Sequence, residues 1–442
     1  MLCYLIIMRR GILNLKTLHQ QYKYEEICSC WEQYQRESDV QVWPEWNYVY
    51  TMNALYKLKR YKACLDLYRH FHTAYPQSKL INDRMGWAAY HVCLKGHDFK
   101  KGDNGRYLKQ VDYILEHCEQ DNYSPVGLIV MQTVQAILNG SFAGKIDYQR
   151  ANTYLDYLKS NNLSRTARML KQDNGKTCEL SSQQEQWYKF KCKILLQLHR
   201  YEECLSCCDQ ALTVISKFHS NNDVWLRRLK IKSLLKLERV ADAKAVFKEL
   251  LTGKFNSWII YEIGYTIAVA ENNQNDALKY IGSCALADNS HQMRVKFYIN
   301  SAEFLYQQGF EHIGMLQVHL VDLIRAENKW KAQKNQYEWN VIADIAALTK
   351  KTVLQELKKF WQAQRDKDKM FLEGTVKTVL SSGRSGFIVG ESGFDYFFSM
   401  SDVKSNCQQL KSGSKVRFTI IKRLDRKKNC LSDNAVEITL LK

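Results

Sequence analysis

Along most of the chain apolar residues recur every three or four positions, the spacing of amphipathic helices, and a mainly helical protein is predicted as far as residue 368. Between Trp225 and Leu251, Leu226, Leu229, Leu234 and Leu237 mark one helical face, and Ala243, Val246, Phe247 and Leu250 mark the next. A polar turn, often a Tyr, and then a small or apolar residue recur along this region. The marks are KYEEI ending at Ile27, RYKAC with Ala63, RYLKQ with Gln110, DYQRA with Ala151, RYEEC with Cys204, RVADA with Ala243, QNDA with Ala277 and GFEHI with Ile313. They lie 34 to 53 residues apart, which predicts about eight helical hairpins over residues 12–330. Lys95 to Arg106 and Leu163 to Gln184 interrupt the array with Gly, Asn and Lys and read as exposed loops. A long capping or linking helix, roughly Tyr337 to Asp368 within 331–368, is expected next. From Met370 the period falls to two: FLEGTVKTVL, FIVGESG, FDYFFSM, SGSKVRFTIIKRL and LSDNAVEITLL predict five strands of a small closed barrel over 369–442.

The hairpins resemble tetratricopeptide repeats. In WIIYEIGYTIAVAENNQNDALKYIGSCALAD, Trp258, Ile263, Gly264, Ala277, Ile281 and Ala285 fall close to that family's positions, with Tyr265 and Ala268 nearby. The resemblance implies an all-α solenoid whose long concave groove binds a protein or peptide.

The tail resembles a cold-shock domain, an OB-type barrel that binds single-stranded nucleic acid. Gly374-Thr375-Val376-Lys377 matches the family's opening strand, Gly386-Phe387-Ile388 its first aromatic motif, and Asp395 with Phe397 its second. Leu410-Lys411, Gly413, Lys415-Val416 and Phe418 match its fourth strand, and Ala435-Val436 its closing one. Alternation along a strand places Tyr396 and Phe398 in the core and Phe397 outside, beside Phe387, as a stacking platform. Thr378, Val379, Ser385, Ser399 and Met400 stand where the family carries further aromatic rings or a His.

Charge sharpens this reading. The chain carries a formal +18, and from Gly374 onward twelve Lys and Arg face six Asp and Glu, a density nearly threefold that of the rest. Lys377 and Arg384 flank the platform, and Lys422, Arg423, Arg426, Lys427 and Lys428 crowd one segment between strands, so phosphate contact is expected of all seven. Fourteen cysteines without regular spacing fit reduced thiols in a cytoplasmic protein. The start, MLCYLIIMRRG, is too short an apolar run to span a membrane and has the wrong order for a secretory leader.

Cys204-x-x-Cys207-Cys208 has no second ligand pair, and His70, His72 and His91 lack metal-ligand spacing, so neither a metal nor a cofactor is expected. No phosphate loop, nucleophile elbow or paired-carboxylate motif is present, and the expectation is a non-catalytic adaptor. Its barrel would hold single-stranded RNA or DNA through Phe387, Phe397 and the surrounding cations. Its repeats would recruit a protein partner, with RNA processing or bacterial defence as settings. The alternative is a protein-interaction scaffold whose barrel has lost nucleic acid. A basic repeat array that itself grips RNA is the third reading.

Overall fold

The computed structural model describes residues 15–37, 43–142, 146–171, 175–252, 258–288, 290–331, 341–367, 369–403, 410–425 and 430–441. The apolar start MLCYLIIMRRG lies outside them. The chain divides into two compact units, Met1–Gly253 and Lys254–Lys442.

The first unit is built of helix pairs: α1 (15–20) with α2 (Tyr24–Glu37), α3 (Glu45–Lys57) with α4 (Tyr61–Phe71), and α5 (Lys79–Ala89) with α6 (Asn104–His117). Then follow α7 (Val126–Leu138) with α8 (Tyr148–Asp156), α9 (Gln183–Gln197) with α10 (Tyr201–Val214), and α11 (Asn222–Lys236) with α12 (Val240–Thr252). In the second unit α13 (Trp258–Ala270) pairs with α14 (Gln274–Leu286), and α15 (Val295–Gln307) with α16 (Glu311–Glu327). Seven of the eight recurring sequence marks lie in the first turn of the second helix of a pair, and RYLKQ reaches into the second turn of α6.

Why the pattern repeats is visible in the turns. Tyr22, Lys59, His199, Glu238, Asn272 and Gly309 all hold left-handed backbone, φ 55° to 82°, two residues before the second helix. The following N–H then donates back to a carbonyl of the first helix, Arg60 to Leu55 at 2.8 Å, Arg200 to Leu195 at 3.0 Å and Asn273 to Ala268 at 2.9 Å. This closes the helix C-terminus by satisfying a carbonyl that would otherwise lack a partner. After α5 and α7 the left-handed residues are Gly96 and Gly140, and the second helix starts eight residues later. The wider spacings of the marks are therefore insertions between helices rather than missing repeats.

The fourth residue of each second helix is buried: Ile27, Cys64, Tyr107, Ala151, Cys204, Ala243, Ala277 and Gly314. Cys64 and Cys204 each donate a thiol hydrogen bond to the carbonyl twelve residues earlier, on Met52 at 3.7 Å and Cys192 at 3.3 Å. At the matching place a Cβ on Gly314 would come within 2.9 Å of the Ala302 carbonyl. The buried position thus lies one residue past the mark at Ala63 and Ile313 and three before it at Gln110: Ala63 is exposed, and Gln110 and Ile313 are only half-buried.

Two other expectations are corrected. The segment read as a loop from Leu163 holds an antiparallel hairpin, β1 (Arg168–Lys171) against β2 (Thr177–Leu180), exposed along the whole of β1. Its residues bury almost nothing, so backbone pairing rather than an alternating apolar pattern defines it. The long helix expected from Tyr337 begins only at Lys350: a short α17 (Ala343–Ala346) precedes α18 (Lys350–Asp366), capped by the Thr349 hydroxyl accepting from the Thr352 N–H. Tyr337 itself lies outside the described residues. Helix α18 packs on α14 and α16 and buries Val353, Leu357 and Trp361, whose indole stacks on Tyr298.

The barrel has a core of its own, including Val376, Ile388, Phe398, Val416, Phe418, Ala435 and Ile438. Strands β3 (Leu372–Val379), β4 (Ser385–Gly390), β5 (Asp395–Ser399), β6 (Lys415–Asp425) and β7 (Cys430–Leu440) close in the order β3-β4-β5-β7-β6. Among the described barrel strands β5 and β7 pair in parallel and the others antiparallel, the Greek-key order of an OB barrel. Tyr396 and Phe398 point inward, as alternation requires.

Candidate nucleic-acid interface on the barrel

Antiparallel pairing sets Phe387 of β4 directly opposite Phe397 of β5, with ring centroids 5.6 Å apart and planes at 73°. Phe397 stays 36% exposed. The row continues outward through Thr378 of β3 and Asn434 of β7. The next row pairs Ser385 with Ser399, so hydroxyls border the two rings. Gly386 makes the arrangement possible: a Cβ there would sit 2.3 Å from the Thr378 carbonyl and 2.6 Å from the Phe398 ring. With no side chain at that point, β3 closes tightly on β4.

A bulge between Val376 and Thr378 re-aims β3 at Lys377. Its ammonium pairs with the Asp395 carboxylate at 2.5 Å, on the strand that carries Phe397. The loop at 410–414 closes over this bulge, where Gly413 N–H donates to the Val376 carbonyl and the Ser412 hydroxyl to that of Lys377. Lys411, exposed, precedes Ser412 in this loop.

The other expected cations fare differently. Arg384 is exposed in the turn before β4, and its carbonyl accepts from Met400 N–H. Lys422 is exposed on β6 in register with Asp433. Arg423 grips the Asp402 carboxylate with both terminal guanidinium nitrogens, at 2.7 and 3.0 Å, which fastens β6 to the turn after β5. Arg426, Lys427 and Lys428 lie outside the described residues. The structure thus brings Lys377, Phe387 and Phe397 together while committing Lys377 and Arg423 to carboxylates of the barrel itself.

Lys411, noted in the sequence only for its place in the fourth-strand match, and Phe394, 68% exposed just before β5, were not among the expected contacts. An exposed aromatic directly after the GESG turn was the available signal for Phe394. Lys411 depends on the loop folding over the bulge, which no local pattern announces.

No family model and no curated protein matches the chain. Solved structures do align with it. A tetratricopeptide repeat protein from Parabacteroides merdae, at 10% identity and TM-score 0.28, covers 65% of this chain and 95% of its own. A human IFIT1 dimer with PPP-AAAA, at 11% identity and TM-score 0.32, covers 78% of this chain and 71% of its own. The repeat assignment rests on the helix pairs, their turns and the buried fourth residue. The fold is TPR-like, with an OB-like barrel at the C-terminal end.

Among the described residues of this TPR-like chain, no group of three or more His, Cys, Asp or Glu has the geometry of a metal site, and no helix is long and apolar enough to cross a membrane. Cys204, Cys207 and Cys208 are buried on one face of α10. His91 lies flat on Tyr61, with centroids 4.3 Å apart.

Proposed function

We propose that the protein is a non-catalytic adaptor whose barrel holds single-stranded nucleic acid and whose helical repeats dock a protein partner. The observation that carries this reading is the paired Phe387 and Phe397 on the outer barrel surface, edge to face, with Lys377 on the adjoining strand and exposed Arg384 and Lys411 in neighbouring turns. A base stacked on an exposed ring contributes roughly 1 to 3 kcal/mol without regard to its identity, and flanking cations add salt-dependent phosphate attraction. The cysteines described are uncombined, which fits a reducing compartment.

Fluorescence anisotropy of a labelled oligouridine, titrated with the full chain and with Phe387→Ala/Phe397→Ala across a salt series, tests the reading. Loss of both rings weakens binding at least tenfold, roughly the value of one to two stacked bases. Unchanged affinity sinks it. In that event the scaffold reading stands, favoured by the Lys377–Asp395 and Arg423–Asp402 pairs, which use barrel cations for the barrel's own cohesion.

A further inference from the structure

In the first unit the insertion from Lys95 to Arg106 and the exposed side of α7 enclose an open cavity of about 330 Å³. That volume lies at the lower end of the range for small-molecule pockets. The insertion and α6 supply three rings, His97, Phe99 and Tyr107, and α7 with its end supplies three amides, Gln132, Gln135 and Asn139. No carboxylate lines the cavity. The rings are fixed before any ligand arrives. Tyr107 lies 4.8 Å from His97 and 5.1 Å from Phe99 between ring centroids, and its hydroxyl meets that of Thr133 at 3.2 Å. His97 bonds to the Asn104 side-chain carbonyl at 2.9 Å, and the Asn104 amide donates to the Phe99 carbonyl at 3.1 Å. Gly102 lets the loop close on itself, since a Cβ there would fall 2.6 Å from the His97 ring and 2.8 Å from the Asp98 carbonyl.

The polar groups divide into those already engaged and those left open. Gln132 donates to the Tyr90 hydroxyl at 3.3 Å. Gln135 and Asn139, one turn apart, are exposed, and their side-chain amides make no hydrogen bond among the described residues. Both acids of the loop are taken up by backbone: Asp98 accepts from the Lys100 N–H at 2.9 Å and Asp103 from the Arg106 N–H at 2.9 Å. Its lysines are not so engaged. Lys95 stands in the chain between the lining residues Leu94 and Gly96, and Lys100 directly follows Phe99. Both side chains are exposed, and neither joins an ion pair among the described residues.

We infer that this cavity is a binding site for an adenine nucleotide, whatever the barrel binds. The base rests against the half-buried rings of His97 and Phe99, and stacking on such rings is favourable for any base. Its identity is read by Gln135 and Asn139, because an amide offers a donor and an acceptor side by side, the complement of the N6/N7 edge of adenine. The phosphate is met by Lys95 and Lys100. An acidic peptide would use the lysines and leave rings and amides idle. A phosphotyrosine would use rings and lysines, but its phenyl edge has nothing for the amides to bind.

The test is isothermal titration of the full chain with AMP, UMP, adenosine, ribose 5-phosphate and O-phosphotyrosine. Three variants accompany it: Gln135→Leu/Asn139→Leu, Lys95→Gln/Lys100→Gln and the barrel variant Phe387→Ala/Phe397→Ala. All four cavity positions are exposed, so both cavity variants keep the fold. AMP binds saturably with a Kd below about 1 mM, more tightly than UMP or ribose 5-phosphate, and the barrel variant binds it equally well. Gln135→Leu/Asn139→Leu weakens AMP at least fivefold, roughly the least that one bidentate base contact is worth. Lys95→Gln/Lys100→Gln weakens AMP roughly threefold or more at about 0.1 M salt and leaves adenosine unchanged. Displacement of AMP from the barrel variant by a short oligoadenylate assigns the site to one nucleotide of a strand, and lack of displacement assigns it to the free nucleotide. The inference is overturned if AMP fails to saturate, if both cavity variants bind it like the parent, or if only the barrel variant loses it. Binding of ribose 5-phosphate or O-phosphotyrosine as tight as that of AMP also overturns it, because the amides would then read no base.

Discussion

At the scale of single residues, the candidate interface is decided by which charges are already spent. Lys377 stands beside the rings but is held by Asp395, an acid on the same face as Phe397. Removing that acid leaves the fold intact, because both partners are solvent-exposed, and frees the ammonium for phosphate. Asp395→Asn therefore tightens oligouridine binding by roughly two- to fivefold, the value of one exposed ion pair. Isothermal titration checks it, and weaker binding would show that Asp395 itself recognises the ligand. In the repeats the decisive residue is Gly314, which lets α16 approach the Ala302 carbonyl of α15. Gly314→Ala improves helix propensity by up to about 1 kcal/mol. It also places a methyl group against backbone that cannot give way, and overpacking of this kind costs about 1 to 3 kcal/mol. Net destabilisation of about 1 kcal/mol is expected in urea unfolding, whereas exposed Ala63→Gly changes stability only by the propensity difference.

At the scale of elements, two histidines bracket the pH range in which the repeats are most stable. His219, before α11, donates to the buried Glu185 carboxylate at 2.7 Å and lies 3.5 Å from Glu179 on β2. The Glu185 hydrogen bond foremost raises its pKa, against the opposing effect of burial. A raised folded pKa means that this contribution is complete below the unfolded value of about 6.5 and is lost as pH rises through the folded value. His291, ahead of α15, bonds to the Tyr298 hydroxyl at 2.7 Å, and burial foremost, then Arg294, pushes its pKa down to about 4. Here the contribution is complete above 6.5 and is lost as pH falls toward 4. Thermal midpoints measured from pH 4 to 9 should peak between these limits. His219→Gln flattens the alkaline limb and His291→Gln the acid limb, and a profile unmoved by either variant would refute the assignment.

These elements also show what sequence can carry. Helix pairs were legible because burial repeats every three to four residues and each turn restarts the count, and the barrel was legible because inward residues alternate. The hairpin of β1 and β2 was not, since all four residues of β1 are exposed and leave no alternation to detect. The Phe387–Phe397 pairing followed from the two aromatic runs. The Lys377–Asp395 pair did not, because it joins residues 18 apart through a bulge whose position depends on β3 and β4 closing over Gly386. The one-position offsets at Ala63 and Ile313 arose because a small or apolar residue beside the true contact satisfies the same local pattern.

At the scale of the whole molecule, the link between helices and barrel lies within the second unit and is short. Helix α18 is seated so closely that a Cβ on Gly282 of α14 would fall 2.3 Å from the Trp361 carbonyl. At its end the Asp366 carboxylate accepts from Arg365 at 2.7 and 2.8 Å and pairs with Lys369 at 2.8 Å, while Lys369 also pairs with Glu437 of β7. Burial alone would raise the Asp366 carboxyl, yet the hydrogen bonds from Arg365 and Lys369 hold it at about 2. Its contribution is therefore complete above the ordinary 3.8 and is lost only as pH falls toward 2, so the tether is fully formed at neutral pH. None of these charged groups belongs to the barrel core, so cutting the tether should loosen the junction without unfolding either side. Asp366→Asn/Glu437→Gln is expected to speed tryptic cleavage at Lys367 or Lys369 severalfold at neutral pH, because cleavage tracks local opening. The released barrel fragment should be digested no faster than the barrel within the parent chain. Cleavage within β3 to β7 at the same accelerated rate would instead mean that the ion pairs hold the barrel together rather than fastening it to α18.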